Sequence, residues 1–134
     1  MRRFRTLAIA IMVHSTLAVC SIAHADMIAG TWTKTNHPDT TNILVFYSDS
    51  EVVKVVGYEQ VGGVPAYWHG EGTFRDGRLE LRYQYSPEAT PSGWEPEGRM
   101  LLTLSSDGGA MHGTATSRSG NWSETIAMRR IFLE

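Results

Sequence analysis

The residues of this 134-residue chain that could do chemistry are few and scattered. His69 and Glu71 stand two apart in Trp68-His69-Gly70-Glu71-Gly72. On an extended strand that spacing sets an imidazole and a carboxylate on one face, which suits metal ligation or acid–base work. The same alternation puts Trp68, Gly70, Gly72 and Phe74 on the other face, and that face is the apolar one. His69 and Glu71 are therefore expected to meet water, beside Tyr67 and Thr73. His112 and His37 are remote in sequence, so a site using His69, Glu71 and His112 would need them brought together by the fold. No serine lies in Gly-x-Ser-x-Gly, and Ser119-Gly120 and Ser105-Ser106-Asp107-Gly108 have the chemistry of turns. Glu71, Glu80, Glu95 and Glu97 show no spacing that marks a catalytic carboxylate pair. The sequence assigns no catalytic residue, no metal ligand and no cofactor, and whether the chain is an enzyme stays open, with the balance against it.

The aromatic residues are more informative. Trp94 lies in Ser86–Glu97, SPEATPSGWEPE, a loop with three prolines and three glutamates. An indole in an acidic, proline-stiffened loop has three uses: capping a cavity, anchoring a partner, or folding back on the domain below it. Trp68, Tyr83 and Tyr85 fall on the inward faces of their strands, and with Trp94 they form the expected ligand-binding set. Asn121-Trp122-Ser123 matches a glycosylation triplet. With Trp122 expected to be buried in a strand and the leader of a bacterial type, no glycan is expected there.

These residues sit in a chain that begins as an export precursor. Arg2, Arg3 and Arg5 precede an apolar stretch from Leu7 to about Val19, and Ala23-His24-Ala25 supplies the small-x-small cleavage pattern. Residues 1–25 are read as a signal peptide and 26–134 as one domain, placed in the periplasm or outside the cell. The apolar stretch is shorter than the ~20 residues a membrane helix needs. Leu17-Ala18-Val19-Cys20 resembles a lipobox and gives lipid anchoring through Cys20 as the alternative. Cys20 is the only cysteine, so residues 26–134 hold neither a disulfide nor a thiol nucleophile. Without the three leader arginines, nine basic residues face fourteen acidic ones. An acidic domain with no basic cluster is a poor binder of nucleic acid. The expected partner is a small apolar or aromatic molecule, or another exported protein.

After Ala25 no helical periodicity is evident. Short β-rich runs alternate with Gly, Asp, Asn and Pro turns, which predicts an all-β fold. Eight strands are expected, at 28–34, 42–48, 51–58, 64–74, 78–85, 98–105, 110–117 and 121–131. In the fifth, Leu79, Leu81, Tyr83 and Tyr85 alternate with Arg78, Glu80, Arg82 and Gln84, the pattern of a half-buried strand. Arg75-Asp76-Gly77, Ser106–Gly109 and Ser119-Gly120-Asn121 are hairpin signals. Short hairpins joining eight strands predict a single antiparallel up-and-down barrel, whose closure removes exposed edges. The longer connections, 35–41, 59–63 and 86–97, all fall at one end, which is where a site is expected.

Gly30-Thr31-Trp32 on the first strand, with Arg130 on the last, resembles the calycin barrels: lipocalins, fatty-acid-binding proteins and avidins. The resemblance implies that Gly30, Trp32 and Arg130 are structural, with the arginine over the tryptophan closing the barrel base. It also implies non-catalytic binding of a small ligand or a protein. The avidin biotin-contact motifs and the lipocalin helix before the last strand are not found in this sequence. The leading expectation is an exported binding barrel with a pocket at the long-loop end. The alternatives are a protein-interaction module, such as an inhibitor or immunity-type partner of an exported hydrolase, and a small enzyme using His69, Glu71 or His112.

Overall fold

The computed structural model describes residues 24–37, 42–49 and 52–131. Residues 1–23 of the expected signal peptide, Cys20 among them, lie outside the described residues. Eight strands follow one another: β1 Gly30–Lys34, β2 Asn42–Asp49, β3 Val52–Val61, β4 Val64–Arg75, β5 Arg78–Tyr85, β6 Glu97–Leu104, β7 Ala110–Ser117 and β8 Ser123–Ile131. Each pairs antiparallel with the next, and β8 returns to pair with β1, with Trp32 opposite Arg130, so the barrel is closed. Period-two patterning is the reason. In β5 Leu79, Leu81, Tyr83 and Tyr85 are all buried and Arg78, Glu80, Arg82 and Gln84, which alternate with them, are all exposed, which fixes the register because a one-residue slip would invert both faces.

Two expected elements differ in detail. Ile28 does not open the first strand. It ends a short 3-10 helix, His24–Ile28, in which the Ala29 amide donates to the Asp26 carbonyl at 3.3 Å. The chain enters β1 only at Gly30, whose φ of +134° is a conformation that side-chain-bearing residues avoid. The connection 59–63 is not a long loop either. Val61 pairs with Val64 across a two-residue Gly62-Gly63 turn, both glycines at positive φ, the geometry that matches strand twist in a tight hairpin. Glu59 and Gln60 look like loop residues in the sequence, yet Glu59 is an inward β3 residue and buried.

At the base, Trp32 and Arg130 meet. The Trp32 indole donates to the Ile28 carbonyl at 2.9 Å, and the Arg130 guanidinium lies 4.5 Å from the Trp32 ring centroid, a cation–π distance. Arg130 also donates to the carbonyls of Met27, Ala29 and Gly108, tying β8 to the 3-10 helix and to the β6–β7 turn. Above this plug the interior is apolar, with Leu44, Phe46, Val53, Leu79, Leu102, Met111, Ile126 and Met128 buried. Towards the other end it turns polar: among the described residues Lys34, Asn42, Glu59 and Ser117 are the buried polar ones, and each stands at the mouth end of its strand. Among the described residues no helix is long and apolar enough to cross a membrane.

Candidate functional site: an aromatic pocket at the barrel mouth

The floor of the mouth is a hydrogen-bonded network centred on Glu59. One carboxylate oxygen takes the Lys34 ammonium at 2.7 Å; the other accepts from the Trp68 indole at 2.8 Å and the Tyr85 hydroxyl at 3.2 Å. A buried carboxylate needs such partners, since an unpaired charge there would carry its full desolvation cost. Gly57 makes the arrangement possible. It lies opposite Trp68, and a Cβ on it would meet the indole at 2.1 Å. Among the described residues no buried side-chain nitrogen or oxygen lacks a partner. Glu59 is therefore engaged on both oxygens within the protein.

Above this floor lies a pocket of about 190 Å³, lined by Tyr83, Tyr85, Gly93, Trp94, Glu95, Ser117, Asn121 and Trp122. Its walls are rings in contact. Tyr83 and Tyr85 meet edge to face at 5.9 Å, Tyr85 and Trp94 at 5.6 Å and 79°, and Trp94 stacks on Trp122 at 6.5 Å and 27°. The hydroxyl end of Tyr83 occupies the space over Gly98, where a Cβ would come within 2.3 Å of the phenol oxygen. Burial, then the charges of Glu59, Glu124 and Glu95, push the Tyr83 hydroxyl up to about 12. The Tyr85 hydroxyl is raised further, again by burial first and Glu59 second. Both phenols thus remain neutral hydrogen-bond donors at physiological pH. Glu95 is held by the Ser119 amide at 2.9 Å and by the Ser119 hydroxyl. These bonds pull its carboxyl below the ordinary range, so it is ionised.

The expected binding set is mostly, but not wholly, brought together. Tyr83, Tyr85 and Trp94 line the pocket, whereas Trp68 lies beneath it, 5.8 Å from Tyr83, with its N–H committed to Glu59. Trp94 folds back on the rim and stays 40% exposed. Trp122 corrects the sequence expectation. It is 43% exposed, in the turn before β8, because the strand starts at Ser123 and the indole is met by Trp94 rather than by the barrel interior. Ser117 and Asn121 were also missed, although the inward alternation of β7 pointed to Ser117.

The residues with acid–base potential do not gather. His69 and Glu71 on β4 and His112 on β7 all face outward and exposed, with β5 and β6 between them. Among the described residues no group of three His, Cys, Asp or Glu side chains is placed to hold a metal ion. A broader, shallower depression of about 750 Å³ does run over the outer face of β4–β6, lined among others by His69, Glu71, Arg82, Glu97, Arg99 and Arg118. Its charges are mixed, and Arg118 is paired to Glu97 at 2.9 Å.

The chain matches no protein-family model and no curated protein sequence. Its class is therefore defined by its architecture: a closed, antiparallel, up-and-down eight-stranded β-barrel. The particular form is a barrel with Trp32 and Arg130 at its base, buried apolar side chains in its interior and an aromatic pocket at the mouth.

Proposed function

We propose that this chain is an exported, calycin-like binding barrel that holds a small ligand at its mouth and does no chemistry on it. One observation carries the reading: a concave site of about 190 Å³ framed by Tyr83, Tyr85, Trp94 and Trp122 at the mouth of the barrel. Apolar walls with a few polar groups on them are the usual make-up of a small-molecule site. The volume lies below the roughly 300–1,000 Å³ common for ligand pockets, so the ligand, or the part of it that enters, is small. Trp68 supports the wall from below. The arginine-rich, apolar N-terminal segment ending in Ala23-His24-Ala25 supports export to the periplasm or beyond.

A second reading, a module that binds another exported protein, draws on different residues. Ile43 and Val45 on β2, Val56 on β3 and Tyr67 on β4 are all exposed on adjoining outward positions, and large exposed apolar patches are a feature of interaction sites. The concavity at the mouth favours the first reading. Native mass spectrometry of the protein purified from the compartment to which it is exported separates the two. The first reading expects a discrete extra mass that is lost on denaturation. A bare polypeptide mass that persists after incubation with a metabolite extract contradicts it and favours the second.

A further inference from the structure

We infer that the mouth pocket selects a small organic cation, an alkylammonium or quaternary ammonium group, over neutral and anionic molecules of the same shape. The inference rests on the binding reading above and names its ligand class. It stands on which groups line the pocket and how they are arranged.

Four aromatic rings surround the space. Tyr83 and Tyr85 differ in plane by 88°, Tyr85 and Trp94 by 79°, so ring surfaces bound the pocket on more than one side. An aromatic face is negative and its edge positive, so a cation held among several faces gains from each, and a desolvated one gains most. A neutral group of equal size receives only the apolar part of that contact.

The charges point the same way. Glu95 is the one charged residue on the lining; no Lys, Arg or His is part of it. Glu95 takes its hydrogen bonds from Ser119, which is neutral, and the Arg118 guanidinium acts on it only through space. Lys34 is paired to Glu59, Arg118 to Glu97, and His37 to Glu124. Arg118, on the exposed turn beside Glu95, lies outside the lining. Ser117 and Asn121 add side-chain oxygens that can accept from an N–H or O–H carried by the ligand. An anion entering here would meet Glu95 and find no cation on the lining to receive it.

The test is an isothermal titration of the protein with choline and, separately, with 3,3-dimethylbutan-1-ol, which has carbon in place of the charged nitrogen. The expected result is saturable choline binding at least about tenfold tighter than the alcohol. Glu95→Gln keeps an acceptor for Ser119 while removing the charge; it should weaken choline several-fold and leave the alcohol unchanged. Trp94→Ala should weaken both, and a circular-dichroism melt of each variant verifies that the barrel is intact. Equal affinity for the two compounds, or tighter binding of the alcohol, overturns the cation inference and leaves the ligand pocket standing. No choline binding also overturns it, and an extra mass retained in native mass spectrometry would then show that the pocket serves a different ligand.

Discussion

Glu59 shows how one residue can be misread in a sequence and central in a structure. In Gly57-Tyr58-Glu59-Gln60 it looks like the start of a polar loop, but β3 continues through it and points it inward. There it is nine-tenths or more removed from water and bonded to Lys34, Trp68 and Tyr85. The three partners come from three other strands, β1, β4 and β5, so the network ties the mouth across the barrel. Glu59→Gln keeps acceptors for Trp68 and Tyr85 but strands the Lys34 charge in the interior. Its expected cost is about 3–5 kcal/mol, measured by urea denaturation. Adding Lys34→Met removes the stranded charge, and the double variant is expected to recover most of that loss. A double variant no better than the single one would show that the ion pair is not what Glu59 contributes. Tyr83, Tyr85 and Trp94 were legible as site residues from alternation and from the oddity of an indole in a proline-stiffened acidic loop. Trp122 was not, because an aromatic at the head of a strand looks the same in sequence whether it enters the core or turns to meet a loop indole.

At the scale of elements, alternation carried most of the fold. Strands β4, β5 and β7 lie within a residue of where polar–apolar periodicity puts them, and the Asp76-Gly77 and Gly108-Gly109 turns fall where glycine makes them inexpensive. What alternation could not reveal is which glycines are there to leave room. Gly57 is an inward position of β3 with no side chain, and its space is taken by the Trp68 indole from the neighbouring strand. Such a cross-strand exchange of volume depends on pairing that no single segment contains. Gly57→Ala must therefore displace the ring. The expected destabilisation is about 1–3 kcal/mol, in the range of core overpacking, together with a red shift of tryptophan emission as the Trp68–Glu59 bond loosens. A variant as stable as the parent, with unchanged emission, would mean that β3 and β4 yield freely at this point. The same limit explains the 59–63 connection: Gly62-Gly63 can be a flexible loop or a two-residue turn, and only the pairing of Val61 with Val64 decides it.

On the scale of the whole molecule the barrel has two unlike ends. The base is closed by Trp32, Arg130 and the 3-10 helix, and the mouth is surrounded by loops that bring Trp94 and Trp122 together. Apolar filling below and a polar network midway leave concave aromatic surface at the top, so a ligand is received at the rim rather than swallowed. The chain's four tryptophans report on these levels separately: Trp32 at the base, Trp68 beneath the pocket, Trp94 and Trp122 in its wall. The most direct test is to follow their four indole N–H signals by ¹H–¹⁵N NMR, assigned by single Trp→Phe variants, during titration with a mixture of small cationic, neutral and anionic compounds. Binding at the mouth predicts saturable shifts of Trp94 and Trp122, a small response at Trp68 and none at Trp32. Shifts led by Trp32 and Trp68, or no movement of any indole, would contradict it.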